Sequence, residues 1–197
     1  MFDRKKEKDN VVKFIREYFE KNNLGGVVIG ISGGKDSAVV AALFAEAIGP
    51  ERILGVTLPC HSLATDKSDA EIIADFYNFR LINLDLTKTY DSFKEEVYKL
   101  GDFTDEELLN SDINIKPRLR MSSLYYLAAL ESALKGKTYV VAGTSNKCEE
   151  FVGYFTKGGD NVCDIKTIAD FTVEQVLAIG EELNVPPPKR AAINLIF

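Results

Sequence analysis

The run Gly30-Ile31-Ser32-Gly33-Gly34-Lys35-Asp36-Ser37 contains the residue types an anion cradle needs. Two adjacent glycines let the main chain turn closely around a phosphate, and unpaired amides at the start of a following helix favour negative charge. Ser32 and Ser37 add hydroxyl donors. Asp36 is the odd member, because a carboxylate beside phosphate repels it. A bridging Mg²⁺ removes that conflict and makes Asp36 a candidate metal ligand. The spacing is not Walker A, and it is not the GxGxxG of a dinucleotide fingerprint. The plain alternative is a glycine turn capped by Asp36 and Ser37; the strand-loop-helix context argues against it.

Such a loop must leave a strand and open a helix. Val27 to Ile31 is a continuous β-branched run, which predicts a buried parallel strand. Ser37 to Ile48 is small and apolar and predicts a helix closed by Gly49-Pro50. Upstream, Val11, Val12, Ile15, Tyr18 and Phe19 mark one face of a first helix, with Leu24-Gly25-Gly26 as its stop. Downstream, Ile53 to Leu58 and Phe79 to Leu84 predict two more strands, separated by a helix from Asp66 to Tyr77. Thr87 to Asn110 reads as helical and acidic, and Pro117 sits in the first turn of a long helix from about Ile115 to Leu134. Tyr139 to Ala142 predicts a further strand, Gly143 to Asp164 a loop-rich patch, and Thr172 to Leu183 a helix. The cluster Pro186-Pro187-Pro188 and the apolar stretch Ala191 to Phe197 follow. This alternation predicts an α/β fold: a doubly wound, mostly parallel sheet flanked by helices, Rossmann-like, in one domain over residues 1–197.

Hydrophobic residues make up 46% and charged residues 27%, the balance of a soluble globular protein. No apolar run is long enough to cross a bilayer, and MFDRKKEKDN has no apolar region behind it to act as a secretory signal. A net charge of -6 argues against a general nucleic-acid binder. Cys60, Cys148 and Cys163 form no CxxC pair, and His61 is the single histidine. A disulfide framework or zinc site is therefore not expected, and a cytoplasmic location is. His61 receives no catalytic assignment.

The pattern SGGxDS resembles the hallmark of the pyrophosphatase-loop ATP enzymes, in which the loop holds the pyrophosphate end of ATP while AMP passes to an acceptor. Three later segments resemble, in family order, those of the ammonia-dependent NAD synthetases. They are Asn114-Ile115-Lys116-Pro117-Arg118-Leu119-Arg120-Met121, Gly143-Thr144-Ser145-Asn146-Lys147-Cys148-Glu149 and Gly153-Tyr154-Phe155-Thr156-Lys157-Gly158-Gly159-Asp160. The resemblance runs from about Val27 to Leu183. It implies an adenine nucleotide alpha-hydrolase-like fold. It places ATP at Gly30, Ile31, Ser32, Gly33, Gly34, Lys35, Asp36, Ser37 and Thr144, Mg²⁺ at Asp36 and Glu149, and deamido-NAD at Arg118, Lys157 and Asp160. Read on residue type alone, Glu149 with Glu150 is a solvated acidic pair, Thr144 a helix N-cap, and Lys157 to Asp160 a turn. Asp66 and Asp69 read as acids of a helix N-terminus. Arg118 and Arg120 point to different helix faces, so that one binds ligand while the other makes a structural ion pair.

The implied reaction adenylates the nicotinate carboxylate of deamido-NAD, releases pyrophosphate, and uses ammonia to displace AMP and give NAD. No protein nucleophile is evident, and 197 residues leave no room for a glutaminase half. The expected partners are ATP, deamido-NAD and ammonia, with neither nucleic acid nor membrane, and the family implies a homodimer with its long helices at the interface. Leu124-Tyr125-Tyr126-Leu127 fits that interface or ordinary core packing equally. Two departures stand out. Val173 occupies a place where the family often has a phosphate-binding lysine, for which Lys35 or Lys166 could substitute, and the chain reads as shortened at the C-terminus. A catalytically silent nucleotide-binding protein and a tRNA-modifying ATPase of the same loop class are the competing readings.

Overall fold

The computed structural model describes residues 2–61 and 64–187, without the side chains of residues 64–68 and 110. Pro188 and the apolar stretch Ala191 to Phe197 lie outside the described residues. Strands β1 (Gly26–Gly30), β2 (Ile53–Thr57), β3 (Arg80–Asn83), β4 (Tyr139–Gly143) and β5 (Ile165–Lys166) form one sheet in the order β3-β2-β1-β4-β5. All four pairings are parallel, which sharpens the expected mostly parallel sheet. In the central register Ile29 lies between Gly55 and Ala142.

β1 is covered on both faces, which is why its sequence is continuously apolar rather than alternating. Val27 and Ile29 face a core built with α1 (Arg4–Lys21), α2 (Lys35–Ile48), α3 (Ala64–Tyr77) and α8 (Val173–Glu182). Val28 faces the opposite way, into a smaller core with Leu54, Val56, Val141 and Ala128 of α6 (Ile115–Lys135). The first core is the larger, with Phe19 and Phe44 fully buried and packed edge to face at 5.9 Å between ring centroids.

Three local readings change. The first helix stops at Lys21, and Asn23 in the left-handed region (φ 49°) turns the chain before the glycines are reached. Gly26 instead opens β1, where an added Cβ would lie 2.4 Å from the Tyr139 ring. The acidic stretch after β3 is two helices, α4 (Thr87–Tyr98) and α5 (Asp105–Asp112). Thr104 starts the second with a reciprocal cap to Glu107. The two-residue β5 was not anticipated.

Candidate functional site

β1 pairs with β2 on one side and β4 on the other, so the strand order reverses beside β1. In open α/β sheets that switch point opens a crevice at the carboxyl ends of the strands. A cleft of about 490 Å³ lies there. Ile31 and Ser32 follow β1 into it, Thr57 and Asn83 close the ends of β2 and β3, Thr144 follows β4, and Arg120 reaches in from α6.

The loop between β1 and α2 is braced by its own hydroxyls. Gly33 adopts a positive φ of 81°, a conformation that disfavours any side chain. Ser37 is 2% exposed. Its Oγ donates to the Gly34 carbonyl at 3.1 Å and accepts from the Ser32 amide at 3.3 Å. Ser32 Oγ accepts from the Gly34 amide at 3.2 Å. Ser37 therefore works as an internal strut, while Ser32 is exposed at the cleft. Lys35 and Asp36 stand in the first turn of α2, with Lys35 Nζ 2.9 Å from Asp36 Oδ2.

The strand-to-helix turn after β4 brings up the second carboxylate. α7 (Lys147–Val152) is capped by Asn146, whose Oδ1 accepts from the amides of Cys148 and Glu149. Thr144 is therefore not an N-cap and lines the cleft instead. Glu149 is half-buried. Burial pushes its pKa up, the Asn146 amide pulls it down, the negative charge of Asp36 pushes it up again, and Lys35 pulls it down. Asp36 and Glu149 thus stand close enough to sense each other as like charges. Among the described residues no group of three or more His, Cys, Asp or Glu could hold a metal.

Glu150 does not pair with Glu149; it forms an ion pair with Lys166. Arg118, Lys157 and Asp160 are gathered at the N-terminal end of α6. Arg118 Nε donates to the Lys157 carbonyl at 3.2 Å, Thr156 Oγ1 donates to Asn114 Oδ1 at 2.9 Å, and Asp160 Oδ1 accepts from the Thr156 amide at 2.6 Å. The turn reading of this segment holds, since Asp160 ties the turn; Asp160 also lines the cleft, whereas Arg118 and Lys157 are not among its lining residues. Arg118 and Arg120 do diverge, but the structural partner of each is a main-chain carbonyl, Lys157 for one and Leu58 at 3.1 Å for the other. His61 has a positive φ of 54° and its Nε2 lies 2.8 Å from Asp91 Oδ1, on the loop before α3. Asp69, read as a helix-terminal acid, is 7% exposed within α3.

Sequence reasoning missed Asn146, Thr57 and Asn83. Asn146-Lys147-Cys148-Glu149 carries the Asn-x-x-Glu capping-box signal that could have found the first. Thr57 and Asn83, joined by a 2.8 Å hydrogen bond from Thr57 Oγ1 to Asn83 Oδ1, sit at strand ends where such sheets bind ligands.

The NAD synthase family model matches residues 7–190. The NH(3)-dependent NAD(+) synthetase of Carboxydothermus hydrogenoformans is 38% identical over 178 residues, 90% of this chain and 70% of that protein. Its counterpart in Methanosarcina acetivorans is 35% identical over 188 residues, 94% of this chain and 70% of that protein. Among solved structures, the NMN synthetase of Francisella tularensis superposes with a TM-score of 0.82 at 30% identity, covering 94% of this chain and 73% of that one. The NH3-dependent NAD synthetase of Campylobacter jejuni gives 0.80 at 31% identity, covering 93% and 75%.

Proposed function

The chain belongs to the NAD synthase family, and we propose that its cleft joins ammonia to the nicotinate carboxyl of deamido-NAD by way of an acyl-adenylate. The observation that carries this reading is the approach of Asp36 and Glu149, in the helices that follow β1 and β4, beside a cleft that Gly30, Ile31, Ser32 and Thr144 line. The loop and Thr144 take the ATP, and Arg118, Lys157 and Asp160 take the dinucleotide. The nicotinate carboxylate attacks the α-phosphate, and pyrophosphate leaves toward the loop. Ammonia then adds to the acyl carbon, AMP departs and one proton is released, leaving the amide of NAD. The chain's contribution is positioning and charge neutralisation rather than covalent catalysis.

Asp36 and Glu149 would hold Mg²⁺, which when bound supplies positive charge on the phosphates. Lys35, in the first turn of the loop's own helix, is the candidate to replace the lysine missing at Val173. A homodimer through α4 to α6 belongs to the same reading: Leu109, Ile113, Tyr126, Leu130 and Leu134 are exposed there, an apolar surface that calls for cover. So does a cytoplasmic location, supported by Cys60, Cys148 and Cys163 forming no disulfide. No helix among the described residues is long and apolar enough to cross a membrane.

The test is an assay with ATP, Mg²⁺, ammonium and deamido-NAD, with nicotinate mononucleotide as the control acceptor. NAD and AMP are expected in equal amounts, with both lost in Asp36→Ala. ATP binding without either product identifies a silent nucleotide-binding protein instead.

A further inference from the structure

Asn146 is 1% exposed, and its hydrogen bonds run to the carboxylates of both Asp36 and Glu149. Its Oδ1 accepts from the Cys148 amide at 2.9 Å and the Glu149 amide at 3.2 Å. Two main-chain donors fix the oxygen, so the amide cannot be flipped and its NH₂ must face the other way. There Nδ2 donates to Asp36 Oδ1 at 3.3 Å, across 110 residues of sequence. The main-chain amide of Asn146 donates to Glu149 Oε2 at 3.1 Å, and its carbonyl accepts from the Glu150 amide at 3.1 Å. One buried residue therefore touches both carboxylates and caps the helix that carries one of them.

From this geometry we propose that Asn146 is a positioning residue, holding Asp36 and Glu149 in the separation that accepts a divalent cation. The inference rests on the metal assignment proposed above. A neutral donor suits the task, because it orients a carboxylate without cancelling the charge that draws the cation. The Lys35 ammonium on the other oxygen of Asp36 rides on a flexible stem and is 35% exposed, so it can yield to a cation. The Asn146 amide is locked at its oxygen and stays.

Asn146→Ser separates cap from tether. Serine is as good an N-cap as asparagine, but its hydroxyl is too short to serve the cap and reach Asp36 together. Asn146→Gly, also tolerated at a cap, is the companion variant. Three quantities are read: the Tm of the free protein, Mn²⁺ affinity in the presence of ATP by electron paramagnetic resonance, and the Mg²⁺ concentration giving half-maximal AMP formation. The expected result is a parent-like Tm with both cation measures weakened roughly 10- to 100-fold, the range for lost outer-shell partners of a metal ligand. In an Asp36→Ala background the same substitution is expected to add no further loss. Unchanged Mn²⁺ affinity in both variants, or a fully additive loss with Asp36→Ala, overturns the positioning role while leaving the synthetase reading intact. A parent protein that binds no Mn²⁺ with ATP and makes no NAD overturns both.

Discussion

Ser37→Ala asks whether a buried hydroxyl in the phosphate loop serves the protein or the ligand. Ser37 is 2% exposed, and its Oγ makes two main-chain contacts, to the Gly34 carbonyl at 3.1 Å and from the Ser32 amide at 3.3 Å. Each such bond contributes a net ~0.5–1.5 kcal/mol. Losing both therefore costs about 2 kcal/mol, since the void left by one oxygen is small. For a domain of this size each kcal/mol moves Tm by roughly 2–4 °C, so a fall of roughly 4–8 °C is expected in the free protein. The loop amides would also lose part of their fixed geometry, and KM for ATP should rise while KM for ammonium does not. Calorimetry of the free protein beside initial rates at varied ATP measures both effects. An unchanged Tm together with a large loss of ATP affinity would refute the reasoning, because the hydroxyl would then be a direct phosphate donor rather than a strut.

Glu149→Gln separates stability from function in the opposite direction. Burial raises the folded-state pKa of Glu149, so the folded protein holds this proton more tightly than the unfolded chain. The ionised side chain is therefore destabilising once pH exceeds the folded value, and the penalty disappears below the unfolded value. The variant should melt higher than the parent at pH 7, match it near pH 4, and lose Mg²⁺-dependent AMP formation; a lower Tm at pH 7 would sink the argument. Gly33→Ala and Gly34→Ala form a matched pair. Gly33 has φ 81°, so alanine there should cost about 1–2 kcal/mol of stability. Gly34 has φ -84°, and an added Cβ meets only Ser32 Oγ, at 3.3 Å. Thermal melts should rank Gly33→Ala well below Gly34→Ala, and the reverse order would show that loop strain is not set by the backbone.

The parts of this fold written as local pattern were legible in the sequence. Val27 to Ile31 announced a strand covered on both sides, and the glycines and Asp36 that follow announced the tight turn into α2. What could not be read was decided by neighbours distant in the chain. β5 is two residues long and exists because Ile165 and Lys166 find the free edge of β4. The break between α4 and α5 falls inside an acidic stretch that reads as one helix, although Gly101 marks a stop and Thr104 with Glu107 carries a cap signal. Gly25 and Gly26 drew the end of the first helix to themselves, whereas Asn23 had already turned the chain. On residue type alone, without the family resemblance, Glu149 reads as half of a solvated pair; in the fold Lys166 pairs with Glu150 and Glu149 is half-buried near Asp36. Ser37 looked like a ligand donor because sequence alone cannot tell a hydroxyl aimed outward from one aimed back at its own loop.

Asp36 and Asn146 meet across 110 residues, and Arg4 meets Glu181 across 177. On a ribosome these partners emerge far apart in time. The nascent chain can pair β1 with β2, and β2 with β3, early, but the central strand keeps one open edge until β4 arrives, and α1 and α2 wait for α8 to cover the groove between them. Distant parallel pairing of this kind is slow and leaves apolar surface uncovered meanwhile. The loop between β1 and α2 is thus made first and completed last. ATP binding should accordingly be among the final signals to return during refolding, well after helical content, and newly synthesised chains should need chaperone protection until their last third is released.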